Sequence, residues 1–314
     1  MSVKVKDMTH IRLSAPDLDR MEEFLIAFGL QTALKTDNRL YMRGQGAREF
    51  VHVTELGEPR LLGFGFEARA REDLDTLSVL PGASAVETID EPGGGTRVVL
   101  REPNGYAIEI VHGSAPRAVS PLDRQPINNA TEPLRRAGIL MRPEEGPAHV
   151  QRIAHCVLGT PRVAETVDWF RSTLGLIASD DVMGDDGNLR MSFSRLDRGD
   201  DYVDHHVLFC AQNPNAGLNH VSFEVTDVDD LFMGHEHLTR TQKYQHVWGI
   251  GRHFLGSNIF NYWADPWGRV HEQWTDTDRL NAASGGNVHR LSDGVMRGIW
   301  GSGAPDSFKQ HVTP

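Results

Sequence analysis

Apolar positions along this chain switch between a strand period and a helix period, and the switch recurs. Thr9-His10-Ile11-Arg12-Leu13 reads as a short strand, followed by Leu18, Met21, Leu25 and Phe28 at helical spacing. The helical run stops at Phe28-Gly29-Leu30, where a glycine can take the left-handed position that ends a helix. Ala154-His155-Cys156-Val157-Leu158 repeats the strand, and Val163, Val167, Phe170 and Leu174 repeat the helix up to Gly175. The second halves repeat too. Leu62-Gly63-Phe64-Gly65-Phe66-Glu67 resembles Asn219-His220-Val221-Ser222-Phe223-Glu224, and each precedes a helical pattern, through Leu74 and Leu77 or through Val228, Leu231 and Leu238. Pro103-Asn104-Gly105 and Pro266-Trp267-Gly268 are turn signals, each leading into a strand with a glutamate, Glu109 or Glu272, six residues after the proline. The pattern predicts four strand–helix–strands modules paired into two domains, an α+β architecture.

Gly217 to Val225 is the strand on which the rest turns. Leu218, Val221, Phe223 and Val225 suit a buried strand, but Asn219 and His220 interrupt it. Taken alone, a strand histidine is better explained as a satisfied core residue than as a ligand. Gly113 to His149 has weak periodicity and is rich in proline, arginine and asparagine, which predicts a linker or wrap-around segment. The tail after Asn281 carries Trp300 and Phe308, which predicts packing against the body.

Composition narrows the function. The 314 residues allow about two domains, and 39% hydrophobic with 24% charged residues is ordinary for a soluble globular protein. A net charge of −11 argues against a nucleic-acid partner, since there is no basic excess to neutralise phosphates. No apolar run is long enough for a membrane span, and no apolar segment near Met1 resembles a secretory signal. Cys156 and Cys210 form no recognisable framework, which fits a reducing cytoplasm. Fifteen histidines direct attention to metal or acid–base chemistry.

The repeat supplies the test that a single motif lacks. Equivalent positions are His10 and His155, Gly63 and His220, Glu109 and Glu272. If the strands line one concave sheet, the second half presents two histidines and a carboxylate from three strands. That is the donor set of non-haem Fe(II) sites. The first half has glycine in the middle and is expected to be silent. Gly63 also indicates that the fold can be built without a histidine there, which turns His220 from a core residue into a ligand.

These motifs resemble the type I extradiol ring-cleaving (catechol) dioxygenases of the vicinal oxygen chelate superfamily, most closely from Ile153 to Trp274. The resemblance implies a glyoxalase-like fold of paired βαβββ modules, with residues 1–115 a non-metal domain, 116–149 a linker, 150–276 the catalytic domain and 277–314 a tail that acts as a lid. It implies Fe(II), or Mn(II) as in some relatives, on His155, His220 and Glu272, with O2 as co-substrate and a catecholic or trihydroxylated ring as substrate. The product would be a ring-opened semialdehyde. It also implies a homo-oligomer in the cytoplasm, working in aromatic-compound catabolism.

His206, in Asp204-His205-His206-Val207-Leu208, aligns with the family's acid–base histidine. His253, in Gly251-Arg252-His253, aligns with a histidine that contacts substrate, and Tyr262 with the catalytic tyrosine. Alternation along a strand would turn His205 toward solvent and His271 away from Glu272. His235, His237 and His246 match no role and are expected at the surface. One branch of the family, acting on catechols with an acetate side chain, has an arginine where this chain has Trp248 and an asparagine where it has Val157. Both changes point to a neutral or bulkier ring, whereas Arg297 matches a tail arginine of that branch and keeps a polar contact in view.

Two other readings use the same fold. A glyoxalase-like isomerase or lyase would work without oxygen, but usually has a fourth protein ligand. A non-catalytic small-molecule-binding protein would need neither the triad nor the acid–base residues around it.

Overall fold

The computed structural model describes residues 3–119 and 126–314; part of the expected 116–149 linker, residues 120–125, lies outside the described residues. Among those described, two large sheets carry the fold. The N-terminal sheet runs, in spatial order, Gln31–Lys35, Arg39–Arg43, His52–Leu56, Asp7–Ala15, Arg60–Glu67, Ala107–His112, Thr96–Arg101, Glu87–Thr88. The C-terminal sheet runs Asn287–Arg290, Ile177–Met183, Leu189–Arg195, Leu208–Gln212, Val150–Thr160, Gly217–Val225, Val270–Thr275, Ile259–Ala264, Gln245–His253, Gly298–Trp300.

The centres of the two sheets are built alike. In each, the strand that opens the first module pairs antiparallel with the strand that opens the second, and each of these pairs parallel with the last strand of its own module. Register confirms the equivalences read from the sequence. Gly63 faces Arg12 and Ala107 across its neighbours, as His220 faces Val157 and Val270.

The helices form where the apolar period predicts. Leu18–Phe28 buries Leu18, Met21, Phe24, Leu25 and Phe28, with Asp17 capping its start through the amide of Arg20 and Gly29 ending it. Val163–Leu174 buries Val163, Val167, Phe170 and Leu174 and ends at Gly175 in the left-handed region. Arg71–Ser78 and Val228–Thr241 complete the set. They cover one face of the sheets in a continuous core shared by the two halves.

Contacts across the halves fix the rear of the strand that carries Glu272. Gln273 donates to the carbonyl of Phe28 at 2.8 Å, and the fully buried Arg269 is held by Asp265 at 2.6 Å and donates to the carbonyl of Ser14. His271, as expected, points away from Glu272, packing among Phe24, Phe28, Phe223 and His52.

Candidate metal centre

The strand Val150–Thr160 slips register at Ala154, and side-chain alternation divides it from His155 onward. Cys156 and Leu158 join the helix-covered core, so His155 and Val157 occupy the opposite, concave face. The adjacent strand slips register between Leu218 and His220, leaving Asn219 as an extra residue opposite the Val150–Thr160 strand. Such a bulge re-aims the side chains beside it. The N-terminal sheet slips at the same place, with Leu62 in the position of Asn219.

Across five neighbouring strands, His155, Ser222, Glu272, Tyr262 and Trp248 lie in one lateral row, and His220 sits two residues along from Ser222. The small Ser222 leaves the space in which the long side chains beside it converge. Its counterpart, Gly65, is equally confined: a Cβ there would lie 2.5 Å from the His10 ring. Sequence reading missed Ser222, although its match to Gly65 signalled a position restricted to small residues.

The ligand atoms of His155, His220 and Glu272 lie within 4.8 Å of one another, and all three residues are buried. His155 Nε2 approaches Glu272 Oε2 to 3.0 Å, and His220 Nε2 lies 3.4 Å from His155 Nε2 and 3.5 Å from Glu272 Oε2. These approaches are too poorly aligned to satisfy the carboxylate, because both Glu272 oxygens lack a well-aligned donor. Burying an unsatisfied carboxylate is costly. Two convergent imidazoles and an orphaned carboxylate fit a divalent cation well. Burial pushes the Glu272 carboxyl up, but the two imidazoles beside it outweigh that and hold it well below the usual carboxylate range, ready as an anionic ligand.

His220 is held from behind. Its Nδ1 lies 2.7 Å from Asn219 Oδ1, while Asn219 Nδ2 donates to the carbonyls of Phe308 at 3.1 Å and His311 at 2.7 Å. With its amide nitrogen occupied by two carbonyls, Asn219 must present oxygen to His220. His220 therefore carries its proton on Nδ1 and leaves the Nε2 lone pair for a metal. Leu218 and Thr313 bridge the same tail to the strand, and the Phe308 ring stacks 5.7 Å from His220 and packs 4.8 Å from Tyr262. The tail is packed on the site through Phe308, as expected, whereas the Trp300 side chain is exposed.

The remaining expected residues divide into three groups. His206, His253, Tyr262, Trp248 and Val157 gather around the triad. The His206 ring lies 4.2 Å from that of His155, and Val157 is buried beside His220. Tyr262 Oη and His253 Nε2 are 2.9 Å apart. Burial pushes Tyr262 up and His253 down to about 4, so a neutral phenol and a neutral imidazole face each other across this hydrogen bond. Trp248 stacks parallel to Tyr262 at 5.3 Å and donates from its indole to Ser302 in the tail.

His205 corrects the sequence reading. The strand begins only at Leu208, so His205 and His206 lie in a bend where alternation does not apply, and both are buried, 3% and 4% exposed. Arg297 falls apart from the others. It is exposed, with its guanidinium over the Phe254 ring at 4.6 Å, and only the adjoining backbone pairs with His253. His235 and His237 are half-buried rather than at the surface, and His235 shares the Asn261 side chain with the exposed His246.

In the N-terminal half the equivalent point is filled by charge. Arg12 Nε donates to Glu109 Oε1 at 2.8 Å and Arg97 to Glu109 Oε2 at 3.0 Å, while His10 Nε2 is 3.5 Å away. A Cβ on Gly63 would stand 2.0 Å from the Ala107 carbonyl oxygen, so no side chain fits there. The guanidinium of Arg12, unforeseen from sequence, neutralises the carboxylate as a metal would. A cavity of about 600 Å³ opens here, lined in part by His10, Phe50, Glu91 and Glu109. Chemistry is assigned to the other half because, among the described residues, three ligand atoms converge only there.

Residues 152–272 match the sequence profile of the glyoxalase/bleomycin resistance protein/dioxygenase superfamily. Those residues therefore form a glyoxalase/vicinal oxygen chelate domain. Its match spans the triad from just before His155 to Glu272. Metapyrocatechase 2 from Cupriavidus necator is 29% identical over 310 residues, 98% of this chain and 92% of the relative. A manganese-dependent 2,3-dihydroxybiphenyl 1,2-dioxygenase from Geobacillus genomosp. 3 is 24% identical over 298 residues, 91% of this chain and 87% of the relative. Among solved structures, the Mn(II)-bound glyoxalase from Novosphingobium aromaticivorans superposes with a TM-score of 0.80 at 25% identity, covering 99% of this chain and 97% of its own. The chain therefore has a sheet-rich, two-domain α+β fold, with its candidate metal-site cluster in the C-terminal part.

Proposed function

We propose that this protein is an extradiol dioxygenase that opens a catecholic ring beside its diol. The observation that carries the reading is the single concave row of His155, Glu272, Tyr262 and Trp248, with His220, His206 and His253 around it. Two relatives matched over nearly the whole chain bear dioxygenase-type names, which supports the same reaction class.

His155, His220 and Glu272 would hold Fe(II) or Mn(II), in the C-terminal catalytic domain. A divalent metal held there supplies a template on which the diol and O2 meet, and a charge that favours loss of the diol protons. The protein orients the ring and manages protons. Tyr262 and His253 form one hydrogen-bonded wall of the site, and His206, whose ring lies against that of His155, is the acid–base residue. Trp248, Val157 and Phe308 surround these groups with apolar surface that excludes water and suits a neutral ring. The tail then works as a lid, since Phe308 rests on His220 and Tyr262. Arg297, exposed over the Phe254 ring, stands apart from these groups and is given no substrate contact. The exposed Val119, Ile127, Leu134, Ile139 and Leu140 of the linker supply an apolar surface for a homo-oligomer. Aromatic-compound catabolism in the cytoplasm is the setting we propose, a reading that the substrate class supports.

A second reading, a glyoxalase-like isomerisation, is favoured by the Mn(II)-bound structural neighbour. Oxygen decides between them. Protein loaded anaerobically with Fe(II) or Mn(II) is mixed with catechol and oxygen uptake is followed with the yellow product absorbance. Stoichiometric uptake supports the dioxygenase; metal bound at one per chain without oxygen uptake across a panel of substituted catechols refutes it.

A further inference from the structure

Behind His206 lies a buried polar cluster that the proposed reaction does not use. Asp180, on the strand Ile177–Met183, is 3% exposed and accepts contacts on both oxygens. His205 Nε2 lies 2.6 Å from Oδ2, while His289 Nε2 and Asn287 Nδ2 lie 2.7 and 3.0 Å from Oδ1. His205 turns its other nitrogen to His206, with the two Nδ1 atoms 3.1 Å apart. The backbone of His205 is pinned as well: its carbonyl accepts from Ser179 Oγ at 2.5 Å and its amide donates to the Asp278 carbonyl at 2.9 Å. Phe193 meets both imidazoles edge-on, at 5.7 and 5.1 Å.

Hydrogen-bond valence orders the protons in this chain. An ionised carboxylate only accepts, so His205 carries a proton on Nε2. A neutral His205 then has a lone pair on Nδ1, and only one proton fits between two facing nitrogens. His206 supplies it from Nδ1, and its Nε2 is left as an acceptor.

We infer that Asp180 and His205 are positioning residues that fix the tautomer and orientation of His206 so that it enters the reaction with Nε2 free. The inference rests on the role given to His206 above, and it extends the working site to the strand Ile177–Met183. Through Asn287 and His289 it also ties that site to the segment beyond the last core strand.

The test uses the full chain with 15N-labelled histidine, loaded with diamagnetic Zn(II), and reads the His206 tautomer by NMR in wild type, His205→Gln and Asp180→Asn. The Nδ1–H form is expected in wild type and a mixture or the Nε2–H form in the variants. In Fe(II)- or Mn(II)-loaded protein, kcat with catechol should fall about tenfold to a hundredfold in either variant, with KM and metal content nearly unchanged, as for other outer partners of functional histidines. Asp180→Asn keeps the shape of the site, so it stands in if His205→Gln does not fold. An Nε2–H tautomer in wild type, or variants with unchanged tautomer and kcat, overturns the inference. If wild type does not cleave catechols at all, the proposed reaction fails, and the NMR measurement alone judges the positioning.

Discussion

Asn219→Ala tests how the metal centre and the tail are joined. The substitution removes the 2.7 Å contact to His220 Nδ1 and the two bonds to the carbonyls of Phe308 and His311. On the metal side, loss of a partner that orients a histidine ligand typically weakens binding by about 10- to 100-fold, or about 1.4 to 2.7 kcal/mol. On the tail side, two neutral hydrogen bonds each contribute about 0.5 to 1.5 kcal/mol, so the Phe308–Thr313 segment should loosen by about 1 to 3 kcal/mol. Asn219 is only half-buried, and water can satisfy the freed carbonyls, which favours the lower end of that range. The assay is a competition titration of Mn(II) against a chelator of known affinity, run beside limited proteolysis of the C-terminus. Metal affinity should drop and cleavage near Phe308 should quicken, with global unfolding little changed. Affinity within twofold of wild type would refute the claim that Asn219 sets the His220 tautomer. Unchanged proteolysis would refute the tail linkage.

Three further outcomes follow from the same geometry. His220→Ala and Glu272→Ala should lose metal and activity together, whereas His206→Ala should retain metal by elemental analysis and lose about 10²- to 10⁴-fold in turnover; a metal-free His206→Ala protein would contradict its assignment. Gly63→His should not create a second metal site, because its Cβ would meet the Ala107 carbonyl at 2.0 Å; metal per chain should stay the same in the titration while overpacking costs about 1–3 kcal/mol in urea unfolding. Burial pushes Glu109 up, but His10 and Arg12 outweigh it and hold it well below its ordinary 4.5. A depressed carboxyl stabilises the fold above that ordinary value and loses the contribution as pH falls through the folded one. Glu109→Gln should therefore be destabilised at neutral pH, and its difference from wild type should narrow as pH falls below about 4.5; a gap that stays constant down to pH 3 in chemical unfolding would refute this.

The sequence by itself determined the modules and the positions of the candidate ligands. Helix and strand periods are local properties, so Leu18–Phe28 and Val163–Leu174 could be read directly, with Gly29 and Gly175 as their stops. The duplication did more, because it placed Gly63 against His220 and so supplied a comparison inside one chain. Sheet register then reproduced that match. His205 shows where local reading ends: alternation presupposes a strand, and the backbone bends before Leu208.

Tertiary structure decided what surrounds each ligand. Asn219 meets the tail 89 and 92 positions away, Arg12 meets Glu109 97 positions away, and Asp180 draws in His205 and His289 from 25 and 109 positions away. No periodicity encodes such pairings, since they depend on how sheets curve and where the tail returns. The ligands could be read because each sits at a repeated place on its own strand. Their hydrogen-bond partners could not, because a polar side chain carries no mark of its partner until burial requires one.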